Sequence, residues 1–337
     1  MRAAVLTEER PRLELAEIPR PVPGPGEVLV RVSGCGICGS DLHLASQLAD
    51  AGAVLGHEIA AVVETLGPGV APERWAVGTA VAVRPFSGCG GCPWYVSGRA
   101  DHCARFQLLG LERPGGFAEF VTVSGDELFA LPAALRLDEQ PLVEPLAIVR
   151  HALRRGAISA GDRVAVLGAG PIGLAAVAWA RAFGVEAVVV SEPAALRRDL
   201  AMSLGADAAI DPAAGPIGAA VAEACGGSPT LVLECSGAPG LIAQGIELAA
   251  VDGRVVVVGI CAGPDTLFPF WAMAKELDVR FCIYYGRDDF IDTLEALGSG
   301  RLVAAPMVTE TIGLEELPER FARLERLPDA GKVIVRP

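Results

Sequence analysis

The sequence predicts an α/β protein in which a doubly wound parallel sheet is joined to a smaller, mostly β unit. Three observations carry that expectation. Residues 146–284 alternate continuous apolar runs (RVAVLGAG, AVVVSE, TLVLECSG, RVVVVGI) with Ala/Leu-rich segments, the pattern of parallel strands buried on both faces between crossover helices. Residues 1–145 carry short β-like runs broken by glycine and proline. The chain has 337 residues, 52% hydrophobic and 20% charged, enough for roughly two domains of about 100–200 residues each.

Taken in order, EVLVRV (27–32), EIAAVVETLG (58–67) and GTAVAVRP (78–85) read as strands of the first unit. The four apolar runs of the second unit follow as strands of repeated βαβ elements. In the tail, 285–337, DDFIDTLEALGSG is an amphipathic segment and KVIVRP reads as a closing strand.

Composition narrows the function. The formal net charge is −13 with no Lys/Arg run, so a phosphate backbone finds little attraction and nucleic acid is not an expected partner. The longest apolar run, Val164 to Ala180, is interrupted by Gly168, Gly170, Pro171 and Gly173, which argues against a membrane span. The N-terminal stretch lacks the apolar core of a signal peptide. Nine cysteines, an odd number, point to reduced thiols and metal ligation rather than a disulfide framework, hence to the cytoplasm.

Within RVAVLGAGPIGLAAVAWARAFG the glycines Gly168, Gly170 and Gly173 form G-x-G-x-x-G between a strand and a helix, with Glu192 ending the next strand. That context is the dinucleotide-binding fingerprint. Gly168 permits the tight turn, Gly170 lets backbone approach the pyrophosphate, and Gly173 allows close helix–strand packing. Pro171 and Ile172 complete the loop and open the helix whose N-terminus faces the phosphates. Glu192 would accept hydrogen bonds from the adenosine ribose and repel a 2′-phosphate, favouring NAD over NADP. Arg197 and Arg198 weaken that preference, because either is close enough in sequence to meet a phosphate.

A second constellation lies upstream. Cys38 in GCGICGSDLH, with His57 and Glu58 in GHE, offers thiolate, imidazole and carboxylate, the donor types zinc accepts. Glu144 is a further carboxylate just before the nucleotide unit. In CGGCPWYVSGRADHC, Cys89, Cys92 and Cys103 have the look of a zinc knuckle with Tyr95 in place of one cysteine.

With ECSGAPG, DGRVVVVGI and GKVIVRP added, the chain resembles the zinc-dependent alcohol dehydrogenases of the medium-chain dehydrogenase/reductase family over essentially its whole length, nearest the sorbitol- and threonine-dehydrogenase-like branches. The resemblance implies a GroES-like catalytic domain (1–145 with 285–337) and a Rossmann NAD-binding domain (146–284). It implies a catalytic zinc on Cys38 and His57, with Glu58 or Glu144 as third protein ligand, the choice between them left open. It assigns the first proton-transfer step to Ser40 and the outer end of the relay to His43, and makes Asp41 the carboxylate that orients His57. Hydride would pass between a secondary alcohol or polyol, or the matching ketone, and NAD(H). It further implies that Cys89, Cys92 and Cys103 belong to a structural-zinc lobe, expected here to be incomplete and unoccupied. VRFCIYY (279–285) resembles an edge strand that pairs between subunits, so a homodimer or homotetramer is expected. Two other functions compete: a zinc-free quinone or enone reductase of the same superfamily, which would need none of these ligands, and a catalytically silent cofactor-sensing relative.

Cys225, Cys235, Cys261 and Cys282 read as buried small hydrophobes, His151 as a packing residue, and Phe86, Trp94, Trp271, Phe281, Tyr284 and Tyr285 as core or interface.

Overall fold

A computed structural model describes every residue except Arg10 and Pro328. Six parallel strands form the nucleotide sheet in the order 208–210, 187–191, 163–167, 231–234, 254–257, 278–281. Strand 163–167 sits mid-sheet, so the chain winds outward on one side and then on the other. This is the doubly wound order, with the crevice at its reversal, between 163–167 and 231–234. The strands form because Val, Ile and Leu fill both faces: Val164, Val166, Leu231 and Leu233 line one core while Ala165, Leu167, Val232 and Val255 line the other.

The second sheet has seven strands, running 308–313, 332–336, 27–36, 58–66, 80–83 and 128–130, with 120–124 also paired on 27–36. Its central strand, Glu27–Gly36, pairs antiparallel with Glu58–Leu66, and bulges fall between Leu29 and Val30 and between Val32 and Gly34. The C-terminal strand Lys332–Arg336 closes the sheet against Cys35 and Gly36. Two short hairpin-like pairs (2–6 with 13–17, and 86–87 with 107–108) complete the β structure.

The helix Val143–Arg155 joins the two halves. Its Leu146, Val149 and Leu153 pack into the nucleotide core, while Val143 and Ala147 pack with Phe86, Phe129, Tyr285 and Phe290. The amphipathic DDFIDTLEALGSG segment forms the helix Arg287–Gly298, held to Val143–Arg155 by a buried charge network. Asp289 accepts from Arg154 Nε at 2.8 Å and lies 2.9 Å from His151 Nδ1.

Two sequence expectations need correction. The run VRFCIYY is strand only as Asp278–Phe281; Tyr284 and Tyr285 lie in the turn beyond it. Of the aromatic residues expected as core or interface, Phe86 and Tyr285 are buried, Tyr284 is partly so, and Trp94, Trp271 and Phe281 are exposed. His151, Cys225 and Cys235 are buried, whereas Cys261 and Cys282 are only partly so. All nine cysteines are free.

Candidate active site

Two segments distant in sequence converge at the C-terminal end of strand Glu27–Gly36. Cys38 is the N-cap of the helix Gly39–Gln47, and His57 directly precedes Glu58, which opens the neighbouring strand Glu58–Leu66. The Cys38 Sγ, a His57 ring nitrogen and a Glu58 oxygen all lie within 4.8 Å of one another. Ser40 sits between two of these donors, its Oγ 3.0 Å from Cys38 Sγ and 3.2 Å from His57 Nε2.

Asp41 is fully buried. Its Oδ2 accepts from Cys38 N at 2.9 Å, its Oδ1 accepts from Gly56 N at 3.2 Å, and the same Oδ1 lies 3.2 Å from His57 Nδ1. The last contact is an ion-pair approach, poorly aligned for a hydrogen bond, since Nδ1 has no hydrogen-bond partner. One carboxylate thus fixes the Cys38 backbone, the Gly56 turn and the His57 ring.

The site is built for a cation. Burial opposes charge on His57, yet Asp41 and Cys38 hold its pKa well above the ordinary imidazole value. A metal ion would answer the same negative donors, so the residues present fit zinc. Bound there, zinc supplies a Lewis acid that polarises an alcohol or ketone oxygen, and the nicotinamide supplies the hydride partner.

Glu144 lies outside that cluster of three. It is buried on the first turn of Val143–Arg155, and burial lifts its pKa to about 7. The Tyr285 hydroxyl, itself buried, faces it without an aligned hydrogen bond. His43 is exposed on the Gly39–Gln47 helix, one turn beyond Ser40.

The strand-to-helix loop of the fingerprint is formed. Gly168 has φ +90°, and a Cβ at Gly173 would lie 1.8 Å from the Gly168 carbonyl oxygen, so glycine is required at both. Gly170 caps the helix Pro171–Phe183, and the space a Cβ would enter there holds only Arg197 Nη1, at 3.9 Å. That open approach at a helix N-terminus suits a pyrophosphate. Glu192 is buried; its two oxygens accept Ala169 N at 2.7 Å and Ala194 N at 2.8 Å, tying the acidic residue to the glycine turn. Arg198 donates to the Glu192 and Pro193 carbonyls, while Arg197 Nε donates to Ala330 O.

The remaining cysteines gather separately, with Cys89, Cys92 and Cys103 sulfurs within 4.8 Å of one another. Each accepts backbone N–H: Cys92 N on Cys89, Tyr95 N on Cys92, and Cys89 N and Arg105 N on Cys103. Asp101 and His102, the donor-bearing side chains beside Cys103 in sequence, are engaged elsewhere, since Arg99 holds both.

The "Alcohol dehydrogenase GroES-like domain" family matches residues 24–133, and the "Zinc-binding dehydrogenase" family matches residues 171–299. The chain is 35% identical over 320 residues to a 2-dehydro-3-deoxy-L-galactonate 5-dehydrogenase of Pseudoalteromonas atlantica, covering 93% of this chain and 92% of that protein. The chain belongs to the zinc-dependent alcohol and polyol dehydrogenases of the medium-chain family. Among solved structures, the alcohol dehydrogenase RspB of Escherichia coli CFT073 with NADH superposes with TM-score 0.92 at 29% identity, covering 100% of this chain and 99% of that one. A zinc-binding dehydrogenase of Sinorhizobium meliloti 1021 bound to NADP gives TM-score 0.91 at 32% identity, with the same coverage. This dehydrogenase is therefore a zinc- and NAD(P)-dependent oxidoreductase with small-molecule substrates. No helix among the described residues is long and apolar enough to cross a membrane.

Sequence reasoning missed Lys332, which reaches Glu58 from the C-terminal strand. Its ammonium lies 2.5 and 2.7 Å from the two Glu58 oxygens, and both side chains are fully buried. The available signal was a lysine heading the Val-Ile-Val run of the closing strand.

Proposed function

We propose that this dehydrogenase interconverts a secondary alcohol of a polyol and its ketone, using NAD(H) and a zinc held by Cys38, His57 and one carboxylate. The observation that carries the assignment is the Cys38–His57–Glu58 convergence with the Ser40 hydroxyl wedged between two of its donors. Glu58 is the carboxylate already inside the cluster, but Lys332 engages both of its oxygens; Glu144 is the uncommitted carboxylate nearby. In this reading Asp41 orients His57, Ser40 takes the hydrogen bond of the reacting hydroxyl, and exposed His43 hands the proton to solvent. His43 suits that role because an imidazole titrates near neutrality.

Around the cofactor, Gly168, Gly170, Pro171, Ile172 and Gly173 form the phosphate turn, with Glu192 directed at the ribose and Arg197 beside the turn. A buried carboxylate there disfavours a 2′-phosphate, so NAD is the expected cofactor. The division into a GroES-like part (1–145 with 285–337) and a Rossmann part (146–284) follows the two sheets, with Val143–Arg155 shared. Among the described residues, Cys89, Cys92 and Cys103 gather without a fourth protein donor, whereas structural zinc sites are closed by four. One zinc per chain is the expected content. Free thiols throughout favour a reducing compartment, the cytoplasm.

A homodimer is supported by the open edge of the nucleotide sheet. Among the described residues, strand Asp278–Phe281 has no partner on its outer side, and Phe268, Phe270, Trp271, Met273, Phe281 and Ile283 are exposed around it.

The test is a panel of alcohols and ketones followed by NAD(H) absorbance, with zinc content measured on the same preparation. Cys38→Ser should keep NADH binding, lose about one zinc per chain and lose turnover. Equal turnover by variant and parent would sink the zinc assignment.

A further inference from the structure

Three cysteines that the hydride chemistry leaves unused form a cluster of their own. Cys89, Cys92 and Cys103 are free thiols with their sulfurs within 4.8 Å of one another. A structural zinc site is closed by four donors, and Tyr95 brings a ring to this lobe instead of a thiol. That ring lies over Gly88, where a Cβ would fall 2.9 Å from Tyr95 Cδ2 and 3.4 Å from Cys103 Cβ. Three thiols do not complete the zinc site, so their sulfurs stay available as nucleophiles.

The three are not equivalent. Cys89 is half-buried and opens on a surface cavity that Arg105, Gln107 and Glu112 also line. Its sulfur accepts Cys92 N at 3.2 Å, a contact that favours the thiolate, the reactive form. Cys103 is buried, and its sulfur accepts Cys89 N and Arg105 N, each at 3.3 Å. The Cys103 sulfur thus rests against the Cys89 backbone, and rotation of the Cys89 side chain brings the two sulfurs toward the roughly 2 Å of a disulfide. The Cys92 sulfur is turned to the short helix Pro93–Val96, accepting Tyr95 N at 3.4 Å. An accessible thiol backed by a second one is the arrangement of a cysteine that is oxidised and then resolved. The other cysteines lack it. Cys35, Cys225 and Cys235 are buried, Cys38 lies among the zinc donors, and Cys261 and Cys282 belong to no such group among the described residues.

We propose that Cys89 is a hydroperoxide-reactive thiol and Cys103 its resolving partner, so that a peroxide converts the lobe into a reversible Cys89–Cys103 disulfide. The Cys89 thiolate attacks one oxygen of hydrogen peroxide, the O–O bond breaks, and the hydroxide that leaves takes up the proton Cys89 gave away, departing as water. The Cys103 sulfur then attacks the sulfenic sulfur of Cys89. The S–S bond forms as the S–O bond breaks, and the leaving hydroxide takes the Cys103 proton as a second water. The two thiols have lost two electrons and the peroxide has gained them. A dithiol reductant reverses the bond by exchange. The disulfide ties the two ends of the lobe covalently, where a four-cysteine lobe would be tied by a metal.

The experiment treats the zinc-loaded protein with one equivalent of hydrogen peroxide and maps its thiols by peptide mass spectrometry. The expected result is a Cys89–Cys103 link, a loss of two thiols from the nine present, unchanged zinc content and NADH affinity, and full recovery with dithiothreitol. Cys89→Ser should lose thiols about tenfold more slowly than the parent, because the accessible thiolate is gone. Cys103→Ser should carry a sulfenic acid at Cys89 that dimedone traps, and Cys103→Ala is read the same way should serine disturb the buried position. A Cys89–Cys92 link would overturn the choice of Cys103. Thiol loss in Cys89→Ser at the parent rate, or first oxidation at Cys38 or Cys261, would overturn the site itself; none of these outcomes bears on the dehydrogenase reading.

Discussion

The Lys332 ammonium sits 2.5 Å and 2.7 Å from the Glu58 oxygens and donates at 3.0 Å to the Ile37 carbonyl. Burial opposes the lysine's charge, but Glu58 and Cys38 hold it on. Room for the pair depends on Gly36, where a Cβ would fall 1.9 Å from Glu58 Oε2. Glu58 therefore has a cationic partner of its own, whether or not a metal draws on it.

That relationship gives a prediction for Lys332→Met. A buried ion pair is costly to break from one side, because the surviving charge is left uncompensated, at about 3–5 kcal/mol. The zinc-free variant should lose stability by that order, and zinc should restore part of it by giving Glu58 a cation. Urea melts with and without zinc measure both. An equal deficit in the two conditions would mean that Glu58 does not feel the metal.

Asp41 acts through His57 rather than on the substrate. Asp41→Asn keeps the shape of the capping interaction with Cys38 N but removes the charge beside His57 Nδ1. Partners of metal-bound histidines are typically worth about 10–100-fold in metal affinity or activity. Zinc affinity, measured by competition with a chelator, should fall within that range while NADH affinity stays at the parent value. A drop in NADH affinity of the same size would indicate a general unfolding of the helix start instead.

Asp289 ties the tyrosine turn to the helix Val143–Arg155. Burial alone would raise its carboxyl, but His151, Arg154 and the Gly286 N–H hold its pKa far below the ordinary aspartate value. A carboxylate depressed on folding contributes stability that is present above the unfolded pKa, near 4, and is lost as pH falls toward the folded value. Asp289→Asn should cost about 2–4 kcal/mol at pH 7, leaving His151 and Arg154 underpaired. The gap between parent and variant should narrow as pH falls below about 4. Chemical melts at pH 7 and at pH 3.5 test this, and a gap that widens on acidification would contradict the assignment.

The nucleotide half was readable because its code is local. Strands buried on both faces appear as unbroken Val/Leu/Ala runs, and the fingerprint sits within one strand–turn–helix. Cys38, His57 and Glu58 were readable by donor type. The unread parts depend on contacts between remote segments. Lys332 meets Glu58 across 274 residues, and a lysine heading KVIVRP looks like any solvated strand end. The turn at Tyr284, whose φ is +57°, was hidden because VRFCIYY has the composition of a continuous strand, and only the buried anchors Tyr285 and Asp289 end it at Phe281. Trp271 and Phe281 read equally as core or interface, because apolarity alone does not distinguish a core from a sheet edge. Nor does sequence show that Arg99 occupies both Asp101 and His102, the donor-bearing side chains beside Cys103.

That lobe yields the last prediction. Backbone N–H groups of Gly91 and Cys92 pull the Cys89 thiol down to about 6, while burial pushes Cys225 up to about 11 and Cys235 well above the ordinary thiol value. The thiolate is the reactive form. Brief alkylation with iodoacetamide at pH 7, read by peptide mass spectrometry, should therefore label Cys89 well before Cys225 or Cys235. The labelling rate at Cys89 should rise with a midpoint near pH 6 and level off above it, because the thiol is already ionised there. A metal held by Cys89, Cys92 and Cys103 would slow that labelling, and prior treatment with a chelator would then speed it. With three thiols and no fourth protein donor among the described residues, labelling at Cys89 should be the same before and after chelation, and metal analysis should stay near one zinc per chain. Protection that a chelator relieves, together with a second zinc, would show that the lobe holds an ion despite Tyr95.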